Sequence, residues 1–88
     1  MKMIIAIVCD DDSDRVTKTL TGAEFRVTTI GSTGGFLRKG QSTMLIGVED
    51  ATLEKALSVL RSCFPPDPNA KETRCTIFVL NVNQSHHF

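Results

Sequence analysis

The chain contains no tryptophan and no tyrosine, so its core must come from Ile, Val, Leu, Met and five Phe. It also lacks net charge, with ten Lys and Arg against ten Asp and Glu. That balance excludes a broad basic surface for duplex nucleic acid. A small anionic ligand, which needs only a few cations, stays possible. Cysteine is scarce: Cys9, Cys63 and Cys75 are odd in number, and no two of them form a CxxC. They read as buried apolar residues in a reducing compartment, not as a disulfide framework or zinc site. No apolar run is long enough to cross a membrane, and the run ending at Asp10 has no small-residue cleavage site. The expected location is the cytoplasm. With 88 residues, the chain is expected to form a single domain over 1–88, near the lower limit for folding alone. Such a chain gains security if an oligomer buries further surface.

What is present has a clear order. Met3 to Cys9 is an unbroken apolar run rich in Ile and Val, suited to a central strand buried on both faces. Asp10, Asp11, Asp12, Ser13 and Asp14 follow, offering a turn, N-cap candidates and acidic charge for the positive end of a helix. Val16, Leu20 and Ala23 then recur at helical spacing, and Gly22 is a plausible stop. Phe25 to Ile30 favours a strand through Val27, Thr28 and Thr29. Gly31 to Gln41 reads as a glycine-rich loop, and Thr43 to Val48 as another apolar strand. Asp50 is a candidate N-cap for a helix whose face is Leu53, Ala56, Leu57 and Leu60. Pro65, Pro66 and Pro68 end it, and Cys75 to Val82 forms a last strand.

The order βαββαβ closes most simply as an α+β, ferredoxin-like fold. It predicts a four-stranded antiparallel sheet in spatial order 4-1-3-2 with both helices on one face. That leaves a difficulty. The first strand is apolar on both faces, with Met3, Ile5 and Ile7 opposite Ile4, Ala6 and Val8. A bare apolar sheet face is a liability in a monomer. The open face is therefore expected to pack against other copies of the chain.

The stretch Thr28 to Gln41 carries the most chemistry. Its glycines let backbone N–H groups surround an anion, and its Thr and Ser hydroxyls can donate to phosphate. Arg26, Arg38 and Lys39 lie on or beside it, and Phe36 offers an apolar surface for a nucleobase. On composition alone a glycine-rich hairpin turn with an exposed Phe is the better account, and no Walker loop is present. The acidic run from Asp10 to Asp14 lacks the glycine and closing glutamate of a calcium loop. His86 and His87 have no evident third metal ligand. No nucleophile–base arrangement stands out, so an enzyme is not expected. Acylphosphatases of this topology carry an arginine-bearing phosphate loop after the first strand, where this chain is Asp-rich. Metal chaperones of this shape carry CxxC there. RNA-recognition domains carry aromatics on the central strands, which are aliphatic here.

Met1 to Val8 with Asp10, Asp12 and Ser13 resembles the opening of the PII-like cyclic di-AMP receptors. Phe25-Arg26-Val27-Thr28 and Thr33-Gly34-Gly35-Phe36-Leu37-Arg38 resemble that family's signature. Gly40, Thr43, Gly47-Val48-Glu49-Asp50, Thr76 to Leu80 and the terminal Phe88 fit as well. The likeness runs from Met1 to about Arg61 and resumes near Cys75. It implies a PII-like homotrimer that binds cyclic di-AMP in clefts between subunits, with no cofactor, no catalysis and a downstream protein partner of unknown identity. DNA, RNA and membranes are not expected partners. Carried over by position, the ligand-binding residues would be Arg26, Thr28, Gly35, Phe36, Leu37, Gln41, Gly47 and His87.

The chain departs from the family pattern at several points. Glu24 and Gln41 stand where the family has Asn, His87 where it has Gln, and Ser85 where an aromatic is common. The long Gly- and Pro-rich loop after the second helix is reduced to Ser62–Arg74. These differences favour an alternative: a PII-like scaffold that binds another adenine nucleotide, or none, and acts through protein contacts.

Overall fold

A computed structural model describes residues 1–30, 40–64, 75–84 and 86. Strand β1 spans Lys2–Cys9, helix α1 Asp10–Gly22, β2 Arg26–Ile30 and β3 Gln41–Val48. A 3-10 turn over Asp50–Thr52 leads into helix α2, Leu53–Ser62, and β4 covers Cys75–Asn81. The four strands form one antiparallel sheet in the order β2-β3-β1-β4, the spatial order 4-1-3-2 expected from the sequence.

Alternation along the central strands sets the core. Ile4, Ala6 and Val8 of β1 and Met44, Ile46 and Val48 of β3 are buried. They meet Val16 and Leu20 of α1, Ala56 and Leu60 of α2, and Cys63 just beyond α2. Successive strand side chains point to opposite faces, so one set of positions meets the helices and the other is left outside them. The outer set of β1, namely Met3, Ile5 and Ile7, is only partly covered.

Element ends differ from the sequence reading in instructive ways. Helix α1 begins at Asp10 itself, with Cys9 as an N-cap that makes no side-chain bond. The acidic run is thus the first helical turn, where Asp10, Asp11 and Asp12 meet the positive end of the helix dipole. The helix runs through Gly22, and the left-handed residue after it is Glu24, at φ 70°. Asp50 does not cap α2. Glu49 precedes the 3-10 turn, and the Asp50 carboxylate lies 3.0 Å from the α-ammonium of Met1. That hydrogen bond and the ammonium charge hold the Asp50 carboxyl below the usual carboxylate range.

Arg15 fastens the two helices together. Its guanidinium lies 3.0 Å from the buried Asp12 carboxylate and donates to the Cys63 carbonyl, also at 3.0 Å. It stands over the Phe64 ring, 5.8 Å from the centroid. An Arg15→Met variant keeps some of the packing but loses these polar contacts. It should lose about 1–2 kcal/mol of stability, read by urea denaturation with an unchanged m-value. A midpoint equal to that of the parent would show the clasp to be unimportant.

Candidate functional site

The outer face of the sheet forms a grid of paired residues. Leu80, Met3, Gly47 and Arg26 lie in one row across β4, β1, β3 and β2. Phe78, Ile5, Leu45 and Thr28 form the next, followed by Thr76, Ile7, Thr43 and Ile30. Paired residues share a face, so each row places its side chains in mutual reach. The face is largely apolar, and Phe78, Leu80 and Ile30 are about half exposed, at 52%, 48% and 53%. Arg26 and Thr28 stand on its β2 margin.

At the first row the margin opens into a cavity of about 320 Å³. Glu24, Arg26, Gly47, Glu49 and Lys55 line it, together with Phe25 and Met1. Three chain segments make this place. The turn after α1 contributes Glu24 and Phe25, and the β2–β3 pairing sets Arg26 opposite Gly47. The 3-10 turn then swings α2 back so that Lys55, in its first turn, reaches the same opening. Met1 forms a wall. Its carbonyl accepts from the Val82 amide at 3.0 Å, and, among the described residues, a side chain added at Gly47 would meet only the Met1 Cε, at 3.2 Å.

Among the described residues, none of the four charged groups in this cavity makes a salt bridge. Arg26 and Lys55 offer N–H donors to an anion, while Glu24 and Glu49 offer acceptors to amino or imino N–H groups. A ligand carrying both phosphate and a base amino group matches that inventory. Among the described residues, the cavity lining contains no Ser or Cys nucleophile. Among the described residues no cluster of three or more His, Cys, Asp or Glu could hold a metal ion. No described helix is long and apolar enough to cross a membrane.

The opposite end of the sheet carries a different group of residues. Gln41 pairs with Cys9, six positions along β3 from Gly47. That is about 20 Å at the usual strand rise. Here β2 ends at Ile30, which pairs with Thr43, and β3 begins just after Gly40. Gly40 takes φ 86°, a conformation that suits glycine. Its carbonyl accepts from the Asp10 amide at 2.8 Å, and the Ser42 hydroxyl donates to the Asp10 carboxylate. Gly40 and Ser42 are thereby pinned to the start of α1. The structure thus brings Arg26, Thr28 and Gly47 together and sets Gln41 apart from them. Gly35, Phe36, Leu37 and His87 lie outside the described residues.

A family model described as cyclic-di-AMP receptor matches residues 1–71. The chain belongs to that family. Among solved structures, it is similar to a functionally unknown protein from Pediococcus pentosaceus ATCC 25745. That match has a TM-score of 0.77 at 28% identity and covers 99% of this chain and 96% of that one. It is also similar in fold to a DUF3240 family protein from Shewanella baltica OS155. There the TM-score is 0.67 at 18% identity, with 99% and 94% covered. Arg26, Thr28 and Gly47 are among the ligand-binding residues expected from the sequence, while Glu49 and Lys55, which share the cavity with Arg26 and Gly47, are not. The lysine left one signal: a cation in the first turn of α2, where the helix dipole disfavours it.

The cysteines take no part in this cavity. Burial, first, and then the neighbouring Cys63 and Asp12 push the Cys75 thiol up to about 11. A thiol so raised is almost entirely protonated at neutral pH and is a poor nucleophile. Iodoacetamide at pH 8 should modify Cys75 in the folded protein at least about tenfold more slowly than in urea. Equal rates, read by peptide mass spectrometry, would refute this.

Proposed function

We propose that this protein is a non-catalytic receptor that binds cyclic di-AMP at seams between the subunits of a homotrimer and reports the ligand to a protein partner. Family membership supports the ligand. The observation that carries the seam is the division of the expected site. Arg26, Thr28 and Gly47 occupy one end of the open face, while Gln41 and the root of the glycine-rich segment occupy the other. Two copies set side by side bring one copy's first group against its neighbour's second. The same packing covers Met3, Ile5, Leu45, Phe78 and Leu80, which a lone chain leaves partly in water. In this arrangement Arg26 balances phosphate charge, Thr28 donates a hydroxyl, and Gly47 admits the base or sugar without a side chain in the way.

Titration calorimetry combined with light scattering tests the proposal. The expected particle has about three times the 9.6 kDa chain mass and takes up one cyclic di-AMP per chain. A lone chain, or a trimer that releases no heat with cyclic di-AMP, would defeat it. A second reading rests on departures from the family pattern, Glu24 in the cavity lining and Gln41 at the far end of β3. On that reading the scaffold binds another adenine nucleotide, or none, and works through protein contacts. Heat released by ATP but not by cyclic di-AMP would favour it.

A further inference from the structure

The cavity beside Gly47 contains a cation that belongs neither to β2 nor to the glycine-rich segment. Lys55 reaches it from α2 and lines it together with Arg26. Two features of this lysine fit poorly with a purely structural role. It sits in the first turn of its helix, at the end of the dipole that favours anions. Its ammonium also makes no salt bridge among the described residues, although Glu24 and Glu49 border the same opening. The other nearby carboxylate, Asp50, faces the Met1 ammonium instead. A local arrangement that helps neither the helix nor an ion pair is the kind of conflict found where a ligand completes the charge pattern.

We propose that Lys55 is a ligand-contacting residue that shares with Arg26 the phosphodiester backbone of the bound cyclic dinucleotide, so that α2 is tied directly to the ligand. This inference rests on the receptor reading given above. The two carboxylates complete the pattern. They balance the two cations, and they direct the ligand's phosphate toward Arg26 and Lys55 and its base amino group toward Glu24. Because Arg26 comes from a strand and Lys55 from a helix, a shared anion couples the sheet to the helix that leads into residues 65–74.

Calorimetry of the full chain with cyclic di-AMP, repeated at low and high salt, provides the test. Lys55→Met should weaken binding about tenfold, the loss of one charge-assisted hydrogen bond. Its affinity should also depend less on salt than that of the parent. Lys55→Arg keeps the charge and should stay within about threefold. The melting temperature of Lys55→Met should equal or exceed that of the parent, because a poorly placed cation leaves the helix start. Parent-like affinity in Lys55→Met, alongside weakened binding in Arg26→Ala, would overturn the inference and leave the receptor reading standing. So would a loss of affinity accompanied by a lower melting temperature and an unchanged salt dependence, which would assign Lys55 a structural role. If the parent itself does not bind cyclic di-AMP, the reading falls and the inference falls with it.

Discussion

An Ile5→Glu variant should fall apart into single chains and lose cyclic di-AMP binding altogether, by more than about a hundredfold. Ile5 stands in the middle of the open sheet face, between Phe78 on β4 and Leu45 on β3. Its neighbours on β1, Ile4 and Ala6, point into the helix-covered core and are fully buried. The substitution therefore spares the core and places a carboxylate where a packed subunit would have to desolvate it. Burying an unpaired charge costs several kcal/mol, more than most subunit contacts tolerate from a single position. In an isolated chain the same carboxylate stays partly in water, so the loss in intrinsic stability should be modest. Light scattering and circular dichroism on one sample separate the two effects. The expected result is chain-sized particles with a native spectrum. If the variant keeps the parent's mass and affinity, the open face is not the assembly surface and the seam is misplaced. Phe78→Asp, on the neighbouring edge strand, should behave in the same way and guards against a folding defect peculiar to Ile5.

That surface was legible in the sequence because it follows from a period of two. Met3, Ile5 and Ile7 lie on one parity and Ile4, Ala6 and Val8 on the other, and two short helices can cover only one of them. Strand order was equally accessible: the two most apolar strands had to be central, and they are β1 and β3. Helix ends were harder. Asp10, Asp11, Asp12 and Asp14 favour a cap and a first helical turn about equally, and pairing of β1 up to Cys9 decides for the turn. Gly22 could serve as a stop, yet the backbone turns left-handed two residues later at Glu24. Local propensity locates such a boundary only to within a few residues, because packing of Leu20 and Phe25 against the core sets the path between them.

The candidate site was legible in its parts but not in its assembly. Arg26, Thr28 and Gly47 could be named from motif likeness. Their placement across adjacent strands depends on the β2–β3 register, which no single stretch of sequence encodes. Lys55 and Glu49 could not be added by spacing, since they meet Arg26 only after the sheet has formed and α2 has folded back. The separation of Gln41 from Gly47 has the same origin. Six positions on one straight strand make residues that are close in sequence distant in space. Under the proposed trimer, the same separation would set the two groups on opposite sides of a subunit seam.

Gly47→Val offers the sharpest separation of site from scaffold, because stability and binding should move in opposite directions. Gly47 lies in the middle of a regular antiparallel pairing, between Met3 on β1 and Arg26 on β2. Its backbone does not require glycine: among the described residues, those with positive φ are Glu24 and Gly40. An added Cβ would meet the tip of Met1 at 3.2 Å and, among the described residues, no backbone atom within reach. A methionine side chain can swing aside at little cost. A strand position also gains from a β-branched residue in place of glycine, by roughly 1 kcal/mol. The variant should therefore melt at or above the parent temperature. Binding should collapse, because the new side chain points from the sheet into the 320 Å³ cavity that Arg26 and Lys55 border. The expected loss in affinity for cyclic di-AMP exceeds about a hundredfold, the scale of a steric block at the centre of a small-molecule site. Gly47→Ala should fall between parent and Val. A valine variant that binds as the parent does would show the ligand to sit elsewhere, and one that unfolds would show that glycine is kept at this position for the strand and not for the ligand.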